Sequence, residues 1–155
     1  MTPELEDQLG QTYRVTVILA AVMIGSVFLY AGLVELLPRL DTAPGPSADS
    51  ETVELVRQVF RGLALVNFLA LAWLGGRIRR PVGEPVARLA SLKSLTIVRL
   101  ALAESIAIYG LVLFFVSGDS MDFYFLLLLS LLSFILAFPR RDRWKETLSD
   151  SRQVS

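Results

Sequence analysis

Ala101-Leu102-Ala103-Glu104-Ser105-Ile106-Ala107-Ile108-Tyr109-Gly110-Leu111-Val112 is the stretch on which the reading turns, and it runs on through Leu113-Phe114-Phe115-Val116 with no charge after Glu104. A bilayer core of about 30 Å needs roughly 20 mostly apolar residues in a helix. Soluble domains carry their apolar residues in short periodic groups. Here they come in long blocks, and residues 126–132 are almost pure leucine. Hydrophobic residues make up 54% of the 155, against about 45–50% in soluble globular chains. The chain reads as an all-α integral membrane protein, and Glu104 lies near the middle of a lipid-crossing helix. A carboxylate at that depth costs at least about 2.5 kcal/mol unless it is protonated, paired or ion-bound.

Working outward, the apolar blocks predict four transmembrane helices in one membrane domain covering residues 1–155. The first span covers about 13–37, closed by Pro38, and a polar linker with Pro44, Gly45 and Pro46 occupies 39–49. The second covers about 50–75 and ends at Gly75-Gly76. Its first turns are polar, with Glu51, Glu54, Arg57 and Arg61. A basic, proline-containing loop takes 76–85, and the third span runs over about 86–116. Ser117-Gly118-Asp119-Ser120 makes a tight connection to a fourth span at about 121–138. Pro139 ends that span, and a charged tail follows at 139–155. The acidic N-terminus lacks the basic start of a signal peptide, so the first span is expected to stay in the membrane.

Fifteen basic and fifteen acidic residues balance, which argues against a nucleic-acid partner. Their placement is uneven. Arg77, Arg79, Arg80, Arg88 and Lys93 gather around the second loop, and Arg140, Arg141, Arg143, Lys145 and Arg152 in the tail. Loops rich in lysine and arginine stay in the cytoplasm. The expected topology is an antiparallel four-helix bundle with both termini cytoplasmic, in the plasma (inner) membrane of a bacterium. The chain has no histidine and no cysteine, so the usual general base, the usual metal ligand and thiolate chemistry are all missing. An enzyme is not expected, nor a metal or organic cofactor.

Two readings of Glu104 stay open at this point. In one it is a strut, paired with an arginine. Arg99 lies five residues earlier, about 7.5 Å along the axis and roughly 140° around it. If the second and third helices fold about the middle of their loop, Arg61 comes level with Glu104, and Asn67 level with Arg99. In the other reading Glu104 binds an ion. Ser105 follows it directly, Tyr109 lies just over one turn further, and Ala101, Ala103 and Ala107 allow a close helix approach. Desolvation favours the neutral form of any carboxyl group, so H+ or Na+ are the ions such a site would hold.

The run Ala101-x-Ala103-Glu104-Ser105-x-x-Ile108-Tyr109-Gly110-Leu111-Val112 resembles the ion-binding helix of the rotor-ring c (proteolipid) subunits of rotary ATP synthases. The resemblance covers about residues 60–116 and includes the basic, proline-containing loop before the helix. It implies that Glu104 carries a translocated proton or sodium ion. It further implies that Ser105 and Tyr109 complete the oxygen shell, with Asn67 as the partner-helix amide. The expected function is thus ion handling in the membrane, as a homo-oligomer or a subunit of a membrane complex, in contact with lipid. A dimeric transporter using Glu104 as its coupling carboxylate is a variant of that reading. The alternative is a non-catalytic accessory or assembly subunit, with Glu104 locked to Arg61 or Arg99.

Overall fold

The computed structural model describes residues 3–40, 49–77, 85–140, 142 and 144. Among them the only regular elements are four helices: α1 (Pro3–Arg39), α2 (Ser50–Arg77), α3 (Pro85–Ser117) and α4 (Ser120–Ala137). All four are long and apolar enough to cross a membrane. The expected linker, most of the basic loop and nearly all of the charged tail fall outside the described residues. α1 begins some ten residues before the expected span. Glu4 and Glu6 lie in its first turn, where acidic side chains meet the positive end of the helix dipole.

The outer surface is apolar. Ile18, Val22 and Leu29 of α1, Leu55 and Leu69 of α2, and Phe125, Leu128 and Ile135 of α4 are all more than half exposed. Such a surface would drive aggregation in water, and it suits a chain whose solvent is lipid. The interior is correspondingly polar in places: Thr16, Thr96, Ser130 and Ser133 are buried. Each hydroxyl has an outlet. Thr16 donates to the carbonyl of Thr12, Thr96 to that of Leu92 and Ser133 to that of Leu129, all at 2.8 Å. These bonds back onto the preceding turn satisfy the group without a second helix.

α3 is the central element. It packs most extensively on α4, then on α2 and on α1, whereas α1 and α4 touch each other only lightly. Small residues permit this. Ala103 and Ala107 are fully buried, and Ser130 of α4 donates to the Ala103 carbonyl at 2.7 Å. A Cβ on Gly110 would stand 3.1 Å from Leu126 Cβ and 3.2 Å from the Phe123 carbonyl oxygen, so a larger residue would push the two helices apart by a few tenths of an ångström. The turn between them is built from its own residues. Gly118 takes a φ of 72°, which glycine adopts at little cost. Asp119 caps α4 by accepting from the Met121 N–H at 2.9 Å.

A separate cluster closes one end of the bundle. Leu9 of α1, Leu89 and Leu92 of α3 and Trp144 of the tail are buried together, with Tyr13 packed against them. Tyr13 meets the Trp144 ring edge-on at 5.9 Å. Trp144 is therefore a packing residue. The early start of α1 has the same explanation, since its additional turns deliver Leu9 to this cluster.

Candidate functional site: three polar clusters on the central helix bundle

Glu104 faces α1. Its Oε1 lies 2.6 Å from Ser26 Oγ and 3.4 Å from the Tyr30 hydroxyl. Ser26 and Tyr30 are one turn apart and share a face of α1; Val27 between them is fully buried. Glu104 itself is half-buried. Ser26 Oγ also lies 2.7 Å from the carbonyl of Met23 in its own helix. Among the described residues, no ion pair involves Glu104.

Ser105 and Tyr109 point elsewhere. Adjacent residues on a helix are separated by about 100°, which turns Ser105 towards α2. There the Asn67 amide donates to Ser105 Oγ at 2.7 Å and to the Tyr109 hydroxyl at 3.2 Å. Ser105 in turn donates to the Leu102 carbonyl at 2.9 Å, and Phe60 lies against the Tyr109 ring at 5.4 Å. Asn67, Ser105 and Tyr109 thus come together, as a group apart from Glu104. The four residues named from sequence form two sites on two faces of α3. The hydroxyls beside Glu104 come from α1 instead.

The two arginines expected beside Glu104 are also engaged elsewhere, and the reason is helix register. Asn67 lies level with Ser105 rather than Arg99, a shift of about six residues or roughly 9 Å. The hairpin does not fold about its midpoint: α3 extends well past the end of α2. Arg99 consequently sits at the last turn of α2, where its guanidinium rests against Gly75; a Cβ there would come within 3.3 Å of Nη2. Arg99 Nη2 donates to the Leu136 carbonyl of α4 at 2.5 Å. Arg61 is carried towards the opposite end of the bundle.

There Arg61 meets Asp122, which no sequence argument singled out as a site. Arg61 Nη2 contacts Asp122 Oδ1 at 2.7 Å, and Arg57 Nε contacts Oδ2 at 2.6 Å. The Asp122 side chain is 6% exposed, those of Arg57 and Arg61 23% and 51%. Arg57 also pairs with Glu54 at 2.7 Å, and Asp119 stands 3.9 Å from it. Two arginines one turn apart and an acid in the first turn of α4, all within candidate spans, were the available signal. Charges in such segments need partners. At the same end the Tyr124 hydroxyl donates to Glu35, which pairs with Arg39 at 3.6 Å as its spacing predicts.

The two carboxylates differ in what they can do. Asp122 offers one oxygen to each of two guanidinium groups. Glu104 sees hydroxyl oxygens only, in a half-buried seam between two membrane-length helices. Asp122 thus sits in an ion-pair cluster and Glu104, among the described residues, does not. Among the described residues, no group of three or more acidic, histidine or cysteine side chains is placed to hold a metal ion. Compared with known proteins, the chain matches no family model, no curated protein and no solved structure.

Proposed function

We propose that this chain is a small, non-enzymatic integral membrane protein that binds and releases a proton at Glu104. In this reading it is an antiparallel bundle in a bacterial inner membrane, with both termini cytoplasmic. The observation that carries it is a count of hydrogens. A serine hydroxyl has one to donate, and Ser26 Oγ has two oxygens at donor distance, the Met23 carbonyl at 2.7 Å and Glu104 Oε1 at 2.6 Å. A carbonyl can only accept. If Ser26 donates to Met23, the short contact with Glu104 is completed when the carboxyl carries a proton and donates to Ser26. The chain then runs from Glu104 Oε1 through Ser26 Oγ to the Met23 carbonyl.

A proton fits better than sodium. One hydroxyl at 2.6 Å and a second at 3.4 Å are too few oxygens to replace the water around a metal cation. The resemblance to rotor-ring c subunits supports a carboxyl that exchanges an ion in lipid, but with a shell from α1 instead of Ser105, Tyr109 and Asn67. The strut reading loses its two proposed arginine partners, Arg61 to Asp122 and Arg99 to the end of α4.

Dicyclohexylcarbodiimide, which enters lipid and reacts with protonated carboxyl groups, tests the reading. Glu104 is expected to be the labelled carboxyl within the spans at neutral pH, with labelling fading at high pH and sodium giving no protection. Asp122 stays unlabelled. A Glu104 that does not react at any pH, or is protected by sodium, overturns the proton assignment.

A further inference from the structure

We propose that the groove between α1 and α4 is a binding site for an anionic glycerophospholipid, with one acyl chain in the groove and the phosphate on Arg140. The groove is open along one side and holds about 530 Å³, within the roughly 300–1,000 Å³ typical of ligand sites. It exists because α1 and α4 both pack on α3 and only lightly on each other. Phe134 is buried and forms its floor with the half-buried Ile24 and Leu131; Phe28, Ile135 and Phe138 are exposed and form its walls.

Its shape and charge select the occupant. From Leu131 to Phe138 the groove follows α4 for about 10 Å at 1.5 Å per residue, most of the depth of one leaflet of a 30 Å core. Every lining residue is apolar except Arg140, which stands at one end, beyond the last turn of α4. Arg140 makes this end of the groove positively charged. An apolar trough one leaflet deep with a cation at the headgroup end matches a negatively charged lipid, and has nothing to offer a polar ligand. The site is separate from Glu104, whose partners Ser26 and Tyr30 lie on the α3-facing side of α1.

Native mass spectrometry of the full chain, with phosphatidylglycerol and phosphatidylcholine of the same acyl chains in equal amounts, tests the proposal. One phosphatidylglycerol per chain should be retained at about fivefold preference, the value of a single arginine near an anionic headgroup. Arg140→Ala should abolish the preference and Arg140→Lys keep most of it. Ile135→Trp, at a position 66% exposed and so harmless to folding, should fill the groove and lower retention of both lipids. No preference in the unaltered chain, an unchanged preference in Arg140→Ala, or full retention in Ile135→Trp would each overturn the assignment.

Discussion

Asp122 and Glu104 are both carboxyl groups on membrane-length helices, and the bundle treats them in opposite ways. Asp122 sits in the first turn of α4 with a guanidinium on each oxygen. Glu104 sits in the middle of α3 with two hydroxyls from α1. An ion pair taken out of water repays its desolvation only with good geometry on both partners. The α2–α4 corner has that geometry, and its arginines keep part of their hydration because they are incompletely buried. Arg99, buried five residues before Glu104 on α3, gives its guanidinium to the Leu136 carbonyl of α4 instead. On the proposed reading, a neutral Glu104 bonded to serine avoids the desolvation of an ion pair. On that reading the comparison teaches that a charged residue type in an apolar helix does not by itself mean a charged group.

The largest effect should come from breaking the corner. Asp122→Asn leaves Arg57 and Arg61 facing each other without their shared anion. Removing one partner of a fully buried pair costs about 3–5 kcal/mol; since Arg61 is half exposed, roughly 2 kcal/mol is expected. Unfolding in detergent micelles measures it. Combining Asp122→Leu with Arg57→Met and Arg61→Met should recover most of the loss, because an apolar replacement of the whole cluster removes the desolvation with the charge. A triple variant as unstable as Asp122→Asn would show that the ion pairs themselves hold α2 to α4.

The neutral cluster on the other face of α3 is the intermediate case. Asn67 spends both amide hydrogens on α3. Hydrogen bonds between helices in lipid average about 0.6 kcal/mol and reach about 1.7. Asn67→Leu should therefore cost about 1 kcal/mol, with Ser105→Ala adding little once Asn67 is gone. Additive losses from the two substitutions would mean that Asn67 and Ser105 act independently.

How much of this was legible in the chain depends on the range of the interaction. The four helices follow from apolar block length alone, and the α3–α4 turn from Gly118 and Asp119, because those signals are local. The neighbours of Glu104 were not legible. They depend on which helix packs against which face of α3, and Ser26 and Tyr30 lie more than seventy residues away. Their spacing of one turn on an otherwise apolar face was the trace they left. Asn67, Ser105 and Tyr109 were named together, yet their separation from Glu104 follows from the 100° step between adjacent helical residues. The register of α2 against α3 was misjudged for a further reason. The midpoint of a loop sets depth only when both helices stop at the same level, and α3 continues past α2 to pack Leu89 and Leu92 on Leu9 and Trp144.

The smallest effect is the most discriminating, because it repeats the acid-to-amide change at the second carboxyl. Glutamine keeps the length of Glu104 and can donate an amide hydrogen to Ser26 Oγ where, on the proposed reading, the acid donates its hydroxyl. Ser26 can go on donating to Met23, and Tyr30 keeps an oxygen to approach. Glu104→Gln should then change stability by no more than about 0.5 kcal/mol, less than one average interhelical hydrogen bond. The same substitution at Asp122 is expected to cost several times as much. If Glu104 is instead an anion on which the fold depends, its amide will destabilise the bundle by roughly the 2 kcal/mol expected at the corner. Near-silence at residue 104 beside a clear loss at residue 122 is the outcome that separates a proton-carrying acid from a structural anion.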